Sequence, residues 1–369
     1  MNLALCTSGE LFGGVEQFVY TYAQHLSKAT GIRVVVVLFC PGDLLDRLAD
    51  QGIETYLMEP RFKYDLLLVQ RLACLFRDRS IDVVHTHGYK ANVFGGLAAR
   101  WAGCKAMKTE HGVLESNQRW WKRLKMKFNL ALDARVSAQC FGHIVFVTKG
   151  VRDANAAFYR RHATSVIYNG IPDFSLDPNV RLPRTTRDSF YIGVVGRLTD
   201  VKGHRFLLEA MRILKDTDIR LFVFGKGPLE RELQAFVWEN QLTDRVSFMG
   251  FRSNVHDYLP SLDVFVLPSL QEGFPYAMLE CLSVGVPVIA SSVGGVREVF
   301  EDGMDCIFVP PADSSALARA IMDLFRNPDR RRCLAAAATK KVKAQFTIDQ
   351  MAASYLKVYR GLPPTSRLW

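Results

Sequence analysis

Short apolar runs alternate with longer stretches in which apolar residues recur at helical spacing, and the alternation holds over most of the chain. In the first half, residues 3–7, 34–39, 53–57, 83–86 and 144–147 read as strands, and 15–28, 44–49, 66–77 and 91–101 as the helices between them. Strands apolar at consecutive positions are buried on both faces, the habit of a parallel sheet covered by helices on either side. A second series opens at Phe190-Tyr-Ile-Gly-Val-Val, passes through the apolar stretch 263–267 closed by Pro268, and ends in helices near 314–326, 330–344 and 348–359. Between the two series, 174–189 carries Pro178 and Pro183 without periodicity and reads as a linker. The expectation is an α/β protein of two doubly wound domains, 1–172 and 190–346. In such sheets ligands gather at the carboxyl ends of strands, so the loops that follow strands are where chemistry belongs.

Composition and charge narrow the classes. A chain of 369 residues, 49% hydrophobic and 23% charged, has material for two cores. Its 8 cysteines are scattered without CxxC spacing and read as small buried hydrophobes in a reducing cytosol. The start, Met1-Asn-Leu-Ala-Leu-Cys, reads as a strand and lacks the basic region of a signal peptide. The longest apolar run, 34–40, is far short of the ~20 residues of a membrane span. The net charge of +10 is uneven: residues 1–170 hold 22 Lys/Arg against 14 Asp/Glu (+8), and 171–369 hold 25 against 23 (+2). Part of that excess lies in 118–128, where Trp120, Trp121, Leu124 and Phe128 share one side of a helical wheel and Arg119, Lys122, Arg123, Lys125 and Lys127 the other. Basic residues opposite tryptophans fit a helix lying in an anionic membrane surface, or equally a surface helix whose aromatics pack on its own domain. No nucleic-acid-recognition fold accompanies the charge, so nucleic acid is not an expected partner.

The loop with the most chemistry is Glu272-Gly-Phe-Pro-Tyr-Ala-Met-Leu-Glu280, after the strand at 263–267. Pro275 is expected in the first turn of a helix, where its missing N–H is harmless. Gly273, Phe274 and Tyr276 then present backbone N–H groups at a positive helix end, an anion site. Carboxylates beside an anion site suit a ligand that carries hydroxyls as well as phosphates, as a sugar nucleotide does. Gly196, Arg197 and Lys202 follow the strand at 190–195, and taken alone the two cations read either as solvated loop charges or as a clamp for a diphosphate. In the first domain, Gly13, Gly14 and Glu16 open a helix in a loop that is neither a G-x-G-x-x-G nor a Walker sequence. His85, His87 and His111 follow two further strands; His85 and His87, two apart, are expected on opposite sides, so no shared metal ion is expected. Asp216-Thr-Asp218 precedes its strand and reads as a turn.

Taken together, Asp263-Val-Phe-Val-Leu-Pro-Ser-Leu-Gln-Glu-Gly-Phe-Pro, Leu279-Glu-Cys, Gly285-Val-Pro-Val-Ile-Ala and Gly294-Gly295 resemble the donor-site signature of retaining glycosyltransferases of the GT-B fold, the large family-four group (glycosyl transferases group 1). The resemblance spans nearly the whole chain, weakest over 40–80 and 113–142. It implies two Rossmann-like domains facing across a cleft, an N-terminal acceptor domain and a C-terminal donor domain, with the final segment 348–369 crossing back to the first. It implies that Glu272 contacts the transferred sugar, Glu280 the ribose hydroxyls, and Arg197 and Lys202 the diphosphate through Gly-Arg-Leu-x-x-x-Lys-Gly. By the same likeness Gly13, Gly14 and Glu16 lie against diphosphate and acceptor, His111 of Thr109-Glu-His-Gly near the sugar, and the loop with Arg252 near the base. In the loop after the strand that ends at Phe224, Lys226 departs from the acidic residue that the family often has between Gly225 and Gly227. The implied activity is hexosyl transfer, with retention and without metal or other cofactor, from a nucleotide-sugar, UDP-sugar favoured. The implied acceptor is lipid-linked or saccharide, in envelope polysaccharide, lipopolysaccharide or glycolipid synthesis at the cytoplasmic face of a membrane. A nucleotide-sugar 2-epimerase and a non-catalytic sugar-nucleotide sensor are the alternatives.

Overall fold

The computed structural model describes residues 1–10, 12–62, 65–112, 120–160, 162–183 and 189–363, and of 120–128 and 130 the backbone alone. The chain forms two compact units, the first Met1–Gly170 with the segment that begins at Ile348, the second Ile171–Thr347.

The first unit runs β1 (Asn2–Thr7), α1 (Gly14–Ser27), β2 (Arg33–Leu38), α2 (Asp43–Asp50), β3 (Thr55–Leu57), α3 (Leu66–Asp78), β4 (Val83–His87), α4 (Tyr89–Ala102), β5 (Lys105–Glu110), α5 (Trp120–Cys140), β6 (His143–Phe146), α6 (Lys149–Tyr159) and β7 (Thr164–Val166). Its strands form one parallel sheet in the order β3-β2-β1-β4-β5-β6-β7. Alternation along each strand sorts the core into two layers. Ala4, Cys6, Val37 and Val84 face a cluster with Leu72 and Phe76 of α3, Phe94 of α4 and Val136 of α5. His85 turns to the other face, towards Phe18 of α1.

The second unit runs β8 (Phe190–Val195), α7 (His204–Ile213), β9 (Ile219–Phe224), α8 (Glu230–Glu239), β10 (Val246–Gly250), α9 (Val255–Tyr258), β11 (Val264–Leu267), α10 (Tyr276–Ser283), β12 (Val288–Ser291), β13 (Ile307–Val309), α11 (Ser314–Arg326) and α12 (Pro328–Gln345). Its sheet is parallel too, ordered β10-β9-β8-β11-β12-β13. The start of the stretch read as a linker is fastened to this unit: the Asp177 amide donates to Asp257 at 3.0 Å, and the Tyr191 hydroxyl to the Pro183 carbonyl at 2.6 Å.

The last helix, α13 (Ile348–Gly361), belongs to the first unit, where it packs on α1. Tyr355 is fully buried, its ring 5.5 Å from Phe18, 5.4 Å from Tyr22 and 5.2 Å from His85. Offset and edge contacts of this kind add to the area the rings remove from water. Tyr355→Ala is therefore expected to cost the first unit about 3–5 kcal/mol, read from its denaturant midpoint. A loss under about 1 kcal/mol would mean that α13 contributes little to this core.

Candidate active site

In each sheet the strand order reverses beside its first strand, between β8 and β11 in one unit and between β1 and β4 in the other. Ligands of open α/β sheets bind at the carboxyl ends of the strands that flank such a reversal.

In the second unit, β8 delivers the loop with Arg197 and Lys202, and β11 the loop with Glu272. The two are locked together by their backbones. The Leu270 amide donates to the Val201 carbonyl at 2.8 Å, and Gly203, at φ +66°, comes so close that a Cβ would lie 2.0 Å from the Pro268 carbonyl oxygen. From the other side Gly294, at φ +56°, leaves room for Glu272: a Cβ there would sit 1.9 Å from its carbonyl oxygen, and the Gly295 amide donates to Gly273 at 3.1 Å. Only glycine takes both the conformation and the space. Within this clamp Lys202 Nζ lies 2.6 Å from Glu272 Oε1, and Ser269 Oγ donates to the same oxygen at 2.7 Å. Glu272 is 8% exposed, and both donors meet the same one of its two oxygens. Arg197 is exposed on the same loop and makes no ion pair among the described residues.

The other predicted donor-site residues spread around this pair. Glu280 is buried on α10, more than a turn inside the helix. The Gly196 amide is spent on the Phe224 carbonyl at 3.0 Å. Arg252 is exposed beyond the edge strand β10, its Nε donating to the Met249 carbonyl at 3.1 Å. The Phe274 ring is buried, 5.3 Å from Phe346, and anchors the loop. Pro275 is not in the first turn of α10 but one position before it, extended at φ −75°, ψ 124°, its carbonyl accepting from Leu279 at 3.4 Å as an N-cap carbonyl does. Ser269 was not singled out by sequence; its position three residues before Glu272 was the available signal.

In the first unit, Gly13 precedes α1, and its amide donates to Glu16 Oε2 at 3.1 Å, one arm of a capping box. Glu16 thus acts first as a helix cap. A Cβ at Gly14 would meet no described atom within 4 Å, so the approach to this helix end is open. His85 and His87 lie on the same strand face, against expectation, because residues two apart on a strand share a face. Their ring centroids are 4.1 Å apart. His87 Nδ1 is 2.9 Å from His111 Nε2, while His85 bridges Tyr359 Oη at 2.8 Å and Thr109 Oγ1 at 2.7 Å. Phe18 closes over His87 and His111 at 4.8 and 5.1 Å. Burial holds all three rings neutral, His111 down to about 3 and the other two well below the ordinary histidine value. Among the described residues no three His, Cys, Asp or Glu side chains are grouped to hold a metal ion.

Beneath Glu110, beside His111, lies a cluster that the sequence hid. The fully buried Lys108 ammonium lies 2.8 Å from Glu110, 2.5 Å from Asp133 and 2.8 Å from the Tyr159 hydroxyl. These side chains come from β5, α5 and α6. The backbone is helical from Trp120, but Arg119 and the side chains of Trp120, Trp121, Lys122, Arg123 and Lys125, expected to meet a membrane, lie outside the described residues.

A family model described as Glycosyltransferase Family 4 matches residues 12–173, and one described as Glycosyl transferases group 1 matches 189–327. The chain belongs to the family-four, group 1 glycosyltransferases. Among relatives of this glycosyltransferase, an uncharacterized glycosyltransferase of Methanocaldococcus jannaschii is 28% identical over 231 residues, 59% of each chain. The UDP-Gal:alpha-D-GlcNAc-diphosphoundecaprenol alpha-1,3-galactosyltransferase of Escherichia coli is 28% identical over 264 residues, 67% of each chain. The match thus spans about three fifths to two thirds of these relatives. The solved structure of Anabaena HepE in complex with UDP-glucose superposes with a TM-score of 0.84 at 20% identity, covering 98% of this chain and 100% of that one. The fold of the glycosyltransferase is GT-B.

One histidine of the second unit sets a pH prediction. His204, first residue of α7, is 3% exposed, neither ring nitrogen has a partner among the described residues, and burial, then the Lys202 charge, lowers it to about 4. The unfolded chain binds this proton below about 6.5 and the folded chain does not, so stability is full above pH 6.5 and falls as pH drops towards 4, by up to about 1.4 kcal/mol per unit. His204→Leu is expected to flatten that fall and to raise the denaturant midpoint more at pH 5 than at pH 8. Equal destabilisation at both would mean that the ring has a partner.

Proposed function

We propose that this glycosyltransferase moves a hexosyl group from a UDP-sugar to a lipid-linked or saccharide acceptor of envelope polysaccharide or lipopolysaccharide synthesis, with retention of configuration and without a metal. The observation that carries the reading is the Lys202–Glu272 contact at the carboxyl ends of β8 and β11, with Arg197 exposed beside it. Breaking the bond from the anomeric carbon to the diphosphate oxygen puts negative charge on the departing diphosphate. Lys202 and Arg197 receive that charge, and the N-terminal end of α10 adds its dipole. When phosphate oxygens take the Lys202 ammonium, Glu272, still held by Ser269, is left to accept from a sugar hydroxyl. The acceptor hydroxyl gives its proton to the diphosphate oxygen as that oxygen leaves, so no separate carboxylate base is required.

The names of the galactosyltransferase relative and of the UDP-glucose complex support UDP as the nucleotide. Among the described residues no helix is long and apolar enough to cross a membrane. The expected place of work is the cytoplasmic face, with the chain peripheral to the bilayer. In a transfer assay with labelled UDP-hexoses and lipid-linked or soluble saccharide acceptors, Glu272→Gln is expected to lower kcat about 10²–10³-fold. Activity within threefold of the parent would end this assignment, and conversion of the UDP-sugar without acceptor would point to a 2-epimerase instead.

A further inference from the structure

β4 ends in a buried histidine for which the proposed chemistry has no use. His87 is 1% exposed. Its Nδ1 lies 2.9 Å from His111 Nε2, and its own Nε2 is buried with no partner among the described residues. His111 follows β5 on the same edge of the sheet and is half-buried. Among the described residues its ring bonds to His87 alone, so Nδ1 is the nitrogen left to meet a ligand.

The pair is held in this arrangement by its neighbours. The His87 ring packs 4.1 Å from that of His85, which is tied at both nitrogens, to Tyr359 and to Thr109. Phe18 lies 4.8 Å from His87 and 5.1 Å from His111, ring centre to ring centre. Burial keeps both histidines neutral, so each carries a single ring proton.

A contact between two neutral imidazole nitrogens holds one proton, and there are two ways to place it. If His111 Nε2 donates, His87 must keep its proton on Nε2, a buried N–H with no acceptor among the described residues. If His87 Nδ1 donates, His87 Nε2 is a bare lone pair and no N–H is stranded. Orphaned buried N–H groups are rarer than unmet acceptors, which favours the second placement. That placement also fixes the other ring. His111 Nε2 accepts, so the His111 proton sits on Nδ1.

We infer that His87 is a positioning residue that holds the His111 proton on Nδ1 and so makes His111 a hydrogen-bond donor to its ligand. The group that meets His111 is then an acceptor; that it is a sugar oxygen rests on the proposed function.

The test is a long-range ¹H–¹⁵N spectrum of the full chain labelled with ¹⁵N-histidine, which reads the protonation of each ring nitrogen. His87→Phe, His87→Asn and His111→Gln assign the signals. The parent is expected to show His87 and His111 each protonated on Nδ1 and bare on Nε2. His87→Phe removes the donor, and His111 is expected to become a mixture of both tautomers. His87→Asn, whose amide nitrogen can stand where Nδ1 stood, is expected to restore the Nδ1 proton. In release of UDP from UDP-glucose with water as the acceptor, loss of this one hydrogen bond in His87→Phe is expected to lower kcat about tenfold, and His87→Asn to recover it to within about threefold of the parent. A parent His111 protonated on Nε2, or a His111 pattern unchanged in His87→Phe, overturns the inference. So does an equal loss of rate in the two His87 variants, the mark of a packing role alone. A parent with the expected spectrum that releases no UDP would strike the proposed function and leave the tautomer assignment standing.

Discussion

The contact between Lys202 and Glu272 is the constraint on which the second unit's candidate site depends. A buried carboxylate needs hydrogen-bond donors, and the chain supplies Glu272 with two, the Lys202 ammonium and the Ser269 hydroxyl, on one oxygen. Holding them there requires the loops after β8, β11 and β12 to stay in register, which explains the backbone contacts at Gly203 and Gly294. A side chain at either would push the loops apart. The same arrangement makes the pair exchangeable. Under the proposed function a diphosphate offers Lys202 more charge than Glu272 does and a sugar hydroxyl offers Glu272 a donor in return, so that binding would swap partners without stranding either group.

The first unit solves a different problem. Its histidines sit under Phe18 and Tyr355 where burial forbids a charge, so they act as neutral hydrogen-bonding groups. Their orientation comes from far along the chain: Tyr355 and Tyr359 of α13 reach Thr109 and His85. The last helix is thus part of the histidine network as well as of the core. Lys108, with its two carboxylates and Tyr159, fixes the end of β5 from beneath in the same manner.

The layout of strands, the parallel sheets and the loops that follow the strands were legible because each rests on local pattern: consecutive apolar residues and glycines after strands. Arg197, Lys202 and Glu272 were singled out through the family resemblance, and the structure brings Lys202 and Glu272 together. What stayed hidden is contact between distant positions, as between His85 and Tyr359, or Lys108 and Asp133, where no spacing announces the pairing. Two readings failed on local geometry: His85 and His87 share a face because a strand repeats every two residues, and α10 begins after Pro275 because the loop before it is held extended. Glu16 shows a third kind of gap, since a glutamate three residues after an N-cap is read equally well as cap or as ligand until its partner is seen.

The most direct measurement is the thermal midpoint of the purified chain with UDP, GDP or ADP, each with and without EDTA, alongside Lys202→Met. A nucleotide at ~100 times its Kd adds about 2.7 kcal/mol to the folded state. The account predicts a rise with UDP that survives EDTA, is absent with GDP and ADP, and shrinks in the Lys202 variant. No rise with any nucleotide, or a rise that EDTA abolishes or that Lys202→Met leaves intact, would contradict it.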